Sequence, residues 1–217
     1  MDVDFVTNKN AYTQLRNLYT ARPDLTDIIK NKTLLVIPAF TATDAALAAE
    51  EATVIHNNNV KGRKKITPAE AAEALAPRDK QELVEKYEKG LIEPLQLQQF
   101  PAKHGPTQFS KWLQEEATPT DPFYPISYEP QFEPVVVAYR HGLPRHWTGF
   151  RGHYYNKSSW VAETHRLGFK FAVLRNLFVV HDRSTPKPSK VPILKYSEWP
   201  KFLEYRERIH RGNVTQG

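Results

Sequence analysis

The chain has 217 residues, 40% of them hydrophobic and 25% charged, which is the composition of a folded domain with a sizeable core and not of a disordered chain. It has no cysteine, which excludes a disulfide scaffold, cysteine-ligated zinc and thiol catalysis, and no run of ~20 apolar residues that would cross a bilayer. The net charge is +6, but eight Lys/Arg against three Glu between Arg183 and Arg211 supply most of the excess. That tail, and the cluster Lys61, Arg63, Lys64 and Lys65, read as solvated surface, so no nucleic-acid partner is expected.

The opening, MDVDFVTNKN, lacks the basic end and apolar run of a signal peptide. MDVDFV alternates apolar and acidic residues like the end of a strand, and AYTQLRNLYTA, 11 to 21, predicts a helix stopped near Pro23. TLLVI, 33 to 37, predicts a short buried strand. Residues 42 to 76 are Ala-rich and polar, and Thr67-Pro68-Ala69-Glu70 has the form of a capping box. A helix from about Arg78 to Lys89 ends at Gly90. GPTQFSKWLQEEA predicts a helix from about Thr107. Pro119, Pro122, Pro125, Pro130 and Pro134 cannot all sit in regular elements. VVVAY, 135 to 139, is a predicted strand. NKSSWVAETHRLG is a predicted helix ending at Gly168, and FKFAVLRNLFVVH holds two short strands, the first with Phe169, Phe171 and Val173 alternating. After a Pro-rich linker, an amphipathic helix covers Tyr196 to His210. The pattern is a mixed α/β layer structure in one domain, 1 to 217.

Four constellations carry chemistry. Asp2 and Asp4 share one face of an extended segment, because side chains two apart point the same way. Paired carboxylates at a strand end suit Mg²⁺ or Mn²⁺, although D-x-D also arises by chance. His181, closing the run LFVV, reads either as a satisfied histidine or as the third member of a carboxylate, carboxylate, imidazole set that suits Mn²⁺. Around Lys103-His104-Gly105-Pro106-Thr107, Thr107 is either a helix cap or part of a substrate loop at a helix N-terminus. The stretch Trp147 to Lys157, with Gly152, Tyr154, Tyr155 and Asn156, combines rings, an amide and a cation, which fits either core packing or a sugar site.

Taken in order, these pieces resemble glycosyltransferase family 49, the LARGE-type and beta-1,4-glucuronyltransferase family. The resemblance runs through the apolar-D-x-D opening, LLVIPAF, DKQELVEKYEKGLIEPLQL, KHGPTQFSKW, YEPQFEPVVVA and FRGHYYNKSSWVAETHRLGFKFAVLRNLFVVH. It implies the C-terminal part of a GT-A-type fold, lacking the family's first strands, with an insertion at 42 to 76 and a basic linker and helix over 183 to 217. It implies an inverting transferase that moves a sugar, glucuronic acid first among candidates, from a UDP-sugar donor to a glycan acceptor with Mn²⁺ (or Mg²⁺). Asp2, Asp4 and His181 would hold the metal. His104, Gly105, Thr107, Gly152, Asn156 and Lys157 would handle the substrates. Glu163 and Asp182 are the candidate bases. The resemblance also implies the Golgi lumen and type II topology, with membrane attachment only through an anchor outside this chain. The sequons at Asn31, Asn156 and Asn213 suit a lumen.

Two departures favour an alternative, a non-catalytic remnant or carbohydrate-binding module of the same fold. The family's domain begins well before its D-x-D, whereas D-x-D stands at residue 2 here, and the loop that is acidic in the family reads Trp147-Thr148-Gly149-Phe150.

Overall fold

A computed structural model describes residues 5–49, 76–118, 120–150, 155–181 and 192–211. Eight strands form two four-stranded mixed sheets. The first has the order β1 (Phe5–Thr7), β8 (Val179–His181), β3 (Ala39–Ala42), β4 (Ile92–Pro94). The second has the order β5 (Phe123–Ile126), β7 (Lys170–Leu174), β2 (Thr33–Ile37), β6 (Val135–Val137). In each, the two inner strands are parallel and the two outer pairings antiparallel.

The two sheets share one pair of chain segments. β2 leads into β3, and β7 into β8. The parallel pair β2/β7 therefore continues as the parallel pair β3/β8. The change of sheet falls at Pro38, which has no N–H to give to a ladder. Its carbonyl still accepts from Val179 N–H at 3.0 Å, so the two segments stay tied across the bend. Such inner strands are covered on both faces and lose the in/out alternation. Leu34, Leu35 and Val36 are all buried, as are Phe171, Ala172, Val173 and Leu174. The alternation expected around Phe169, Phe171 and Val173 is thus overridden by two-sided burial.

Apolar clusters lie on the two faces. One gathers Phe40, Phe109, Trp112, Tyr124, Phe132, Phe171 and Phe178. The other gathers Leu25, Ile29, Leu35, Ile37, Leu95 and Val179. Helix α1 (Ala11–Ala21) spans the residues that its periodicity predicts. α2 (Leu25–Lys30) follows Pro23 at once and was not foreseen. α3 (Lys80–Glu88) begins at Asp79, whose side chain accepts from Glu82 N–H at 3.0 Å, and Gly90 follows it with φ +68°.

The helix expected from Thr107 is broken in two. α4 (Pro101–His104) and a 3₁₀ turn (Gly105–Thr107) precede α5 (Phe109–Gln114). The residue before α5 is Gln108 in the left-handed region, with φ 57°. Thr107 therefore does not cap the helix. It is buried, and its carbonyl accepts from the Tyr124 hydroxyl at 2.7 Å. Pro125 does enter a strand, β5, at the end of its sheet order, where proline's missing donor is tolerated. α6 (Asn156–Arg166) and α7 (Pro192–His210) complete the structure, α7 starting earlier than expected. Segment 44–49 is helical, and residues 50–75 of the expected insertion, with the Thr67 capping box, lie outside the described residues.

A candidate sugar-transfer site

His181 closes β8 in register with Phe5 on one side and Thr41 on the other. Paired residues share a face of the sheet. The His181 and Phe5 rings accordingly meet edge to face, 5.3 Å between centroids. Thr41 is itself in register with Glu93 of β4. One row thus runs Phe5, His181, Thr41, Glu93 across four strands. Glu93 had no sequence signal, because only register brings it beside Thr41. Asp2, Asp4 and Asp182 lie outside the described residues. In sequence, Asp4 directly precedes Phe5, and Asp182 directly follows His181. Among the described residues, no three His, Asp or Glu side chains gather into a metal cluster.

A second group is built by α6, α7 and the loop before α6. Asn156 starts α6, and its Oδ1 accepts from Lys157 N–H at 2.8 Å. Lys157 is half-buried, and desolvation lowers its pKa. Glu163, on the inner face of the same helix, is 3% exposed and accepts a hydrogen bond from the Tyr205 hydroxyl of α7. Burial, and then this bond, raise the Tyr205 pKa. His146, absent from the sequence reading, stacks on Trp160 at 5.1 Å and 21°. Burial lowers its pKa, while its hydrogen bond to the Asn156 backbone and the Glu163 charge act the other way. Trp147 stacks on Tyr205 at 5.3 Å. A Cβ on Gly149 would collide with the Trp147 ring, so any other residue there would require that ring to shift. Gly152 lies outside the described residues.

His104 and Thr107 stand on other elements than these two groups. Both are buried in the turn between α4 and α5, His104 at 6% exposure, with Gly105 between them. Burial, with a smaller contribution from Lys103, holds the His104 imidazole down at about 4 from 6.5. Between those values the unfolded chain binds a proton that the fold refuses. Stability is therefore complete above about pH 6.5 and lost as pH falls toward 4. At ~1.4 kcal/mol per pH unit, the loss reaches about 3 kcal/mol. Urea midpoints at pH 7 and pH 4.5 check this, and His104→Gln should flatten that part of the profile.

The family profile described as "glycosyl-transferase for dystroglycan" matches residues 1–193. The chain belongs to this family, glycosyltransferase family 49. Similar proteins include sugar transferases by name. Glycosyltransferase-like protein gnt14 of Dictyostelium discoideum is 31% identical over 143 residues, covering 63% of this chain and 22% of its own length. The xylosyl- and glucuronyltransferase LARGE1 of Gallus gallus is 26% identical over 185 residues, 85% of this chain and 20% of its own. Beta-1,4-glucuronyltransferase 1 of Mus musculus is 33% identical over 106 residues, 48% of this chain and 25% of its own. The chain thus spans a quarter or less of the length of these relatives.

The family 49 match covers β1 to β8 and α6, and ends within the first turn of α7. Most of α7, including Tyr205, therefore lies beyond it. Among the described residues, no helix is long and apolar enough to cross a membrane.

Proposed function

We propose that this chain is the metal-bearing, C-terminal part of an inverting GT-A-type transferase. In this reading it moves a sugar, glucuronic acid first among candidates, from a UDP-sugar to a glycan acceptor. The observation that carries the reading is the family match over 1–193 together with strand β1, which follows Asp2-Val3-Asp4 in sequence and pairs Phe5 with His181. Relatives that act as glucuronyltransferases by name support the donor.

Carboxylates and an imidazole are a donor set that fits Mn²⁺ or Mg²⁺. Asp2, Asp4 and His181 would hold it. Such an ion supplies Lewis-acid stabilisation of the diphosphate leaving group. Lys157, a cation kept partly dry, is suited to a phosphate or a uronic carboxylate, and its desolvation strengthens any such pairing. Asn156 offers its side-chain amide to sugar hydroxyls. Gly105, Thr107 and the His104 turn would line the donor loop, with Gly152 on the acceptor side.

Inversion needs a base for the acceptor proton. Glu163 and Asp182 are the candidates. Glu163 would act only if the Tyr205 hydroxyl were exchanged for the acceptor. The non-catalytic alternative draws on the same region. Trp147 stands where the family resemblance places an acid, and its ring is spent on Tyr205. The location proposed is the Golgi lumen, with membrane attachment through a segment outside this chain.

The test is UDP release by the full-length gene product, given Mn²⁺ and a panel of UDP-glucuronic acid, UDP-xylose and UDP-N-acetylglucosamine. Donor-dependent release with transfer to a glycan is expected. Release from none of the three, by a protein that folds, would favour the binding-module reading.

A further inference from the structure

Helix α7 lies almost wholly beyond the family-matched residues, yet it brings rings to the start of α6. Trp199 and Phe202 are three apart and so share a face of α7. Their centroids are 5.5 Å apart and their planes differ by 31°. Tyr155 stacks on Phe202 at 4.8 Å and 27°, and meets Trp199 at 5.8 Å. The three rings are one shelf. Trp199, at its edge, remains 47% exposed.

Two backbone features show that the shelf is held against local preference. Tyr155 has φ 63°, a left-handed conformation that bulky residues seldom adopt. Trp199 precedes Pro200 inside the helix, and pre-proline residues disfavour the α region. Strain of this kind persists where the surroundings over-determine it, and it concentrates at binding sites.

We propose that Tyr155, Trp199 and Phe202 form a subsite for one pyranose unit of an oligosaccharide. A pyranose has an apolar C–H face and a hydroxyl edge. The electron-rich face of an aromatic ring meets the first. The second needs amides and cations at the rim, and here Asn156, Lys157 and Lys201 directly follow Tyr155 and Pro200 in the chain. A lipid or a partner helix calls for a contiguous apolar patch of some hundreds of Å². On α7 the neighbours of this shelf are one exposed apolar residue, Leu203, and the charged Lys201, Glu204 and Arg206, so no wide apolar patch surrounds it in sequence. The choice of a sugar as ligand rests on the glycosyltransferase reading. The location of the shelf rests on ring geometry alone.

The experiment uses the full-length protein without donor or metal. Saturation-transfer NMR and titration are run with cellotetraose, xylotetraose, chitotetraose and tetragalacturonate. At least one should bind. Trp199→Ala should weaken that binding at least about tenfold, or ~1.4 kcal/mol. Trp199→Phe, which keeps a ring, should stay within about threefold on the same scale. If Trp199→Ala unfolds, Trp199→Leu keeps an apolar side chain without a ring face and carries the same expectation. Binding of none of the four overturns the proposal, and so does binding unchanged in the ring-less variants. Burial of Trp199 by self-association with no saccharide bound also overturns it. Asp4→Ala separates the two readings. If it abolishes transfer and leaves saccharide binding intact, both stand. If saccharide binding persists in a protein that transfers nothing, the shelf stands and the transferase reading falls.

Discussion

Trp112→Ala is expected to destabilise the protein by about 4–5 kcal/mol, the upper range for a buried aromatic. Trp112 is fully buried on α5 and packs on Phe40 at 5.3 Å and on Phe178 at 6.1 Å. Its indole N–H donates to the Leu174 carbonyl at 2.7 Å, at the end of β7. The Lys80 ammonium lies over its ring at 4.4 Å, and Lys80 is itself buried, bonded to the Glu115 carbonyl. Removing the indole opens a cavity, leaves a buried carbonyl short of a partner and strips a buried cation of its ring. Domains of this kind have only ~5–15 kcal/mol in total, so the variant should be largely unfolded at 37 °C. Trp112→Phe keeps most of the volume and loses the N–H, and should cost about 1–3 kcal/mol. Urea unfolding of both variants measures the difference. A loss under 2 kcal/mol for the alanine variant would mean that α5 does not anchor the sheet.

His181→Phe is the sharper test of the metal reading. Phenylalanine can keep the edge-to-face contact with Phe5 but has no donor for a cation. Mn²⁺-dependent transfer by the full-length protein should fall at least about a hundredfold, equivalent to ~2.7 kcal/mol. Unfolding stability should move by no more than ~1 kcal/mol, because His181 sits at a strand end and is only partly buried. Asp4→Ala should give a loss of the same order. A His181→Phe protein with full activity would remove His181 from the metal set and leave it a strand-end residue. A metal titration of each variant distinguishes lost affinity from lost turnover.

Much of the fold was legible because its signals are local. α1, β2, α6 and the pair β7 and β8 follow from periodicity and from stop residues such as Gly168, whose φ is +85°. The elements that went unseen are short or contain proline. β3, β4 and β5 have three or four residues each, and β5 includes Pro125. Their strand character comes from the neighbours they pair with and not from intrinsic preference. The break between α4 and α5 was hidden for a similar reason. It rests on a left-handed Gln108, a conformation with no composition signature.

For the candidate site the division is just as physical. By itself the sequence determined the family, through ordered motifs, and the residue types that suit a divalent cation and a sugar. Only the tertiary structure decided which of them meet. Strand register set Phe5, His181, Thr41 and Glu93 in one row. Helix packing turned Glu163 inward onto Tyr205, placed His146 on Trp160 and set Tyr155 against Phe202. Such contacts join residues as much as 176 positions apart, as between Phe5 and His181. Periodicity reports which face of one element is apolar. Which other element covers that face is a property of the packed whole.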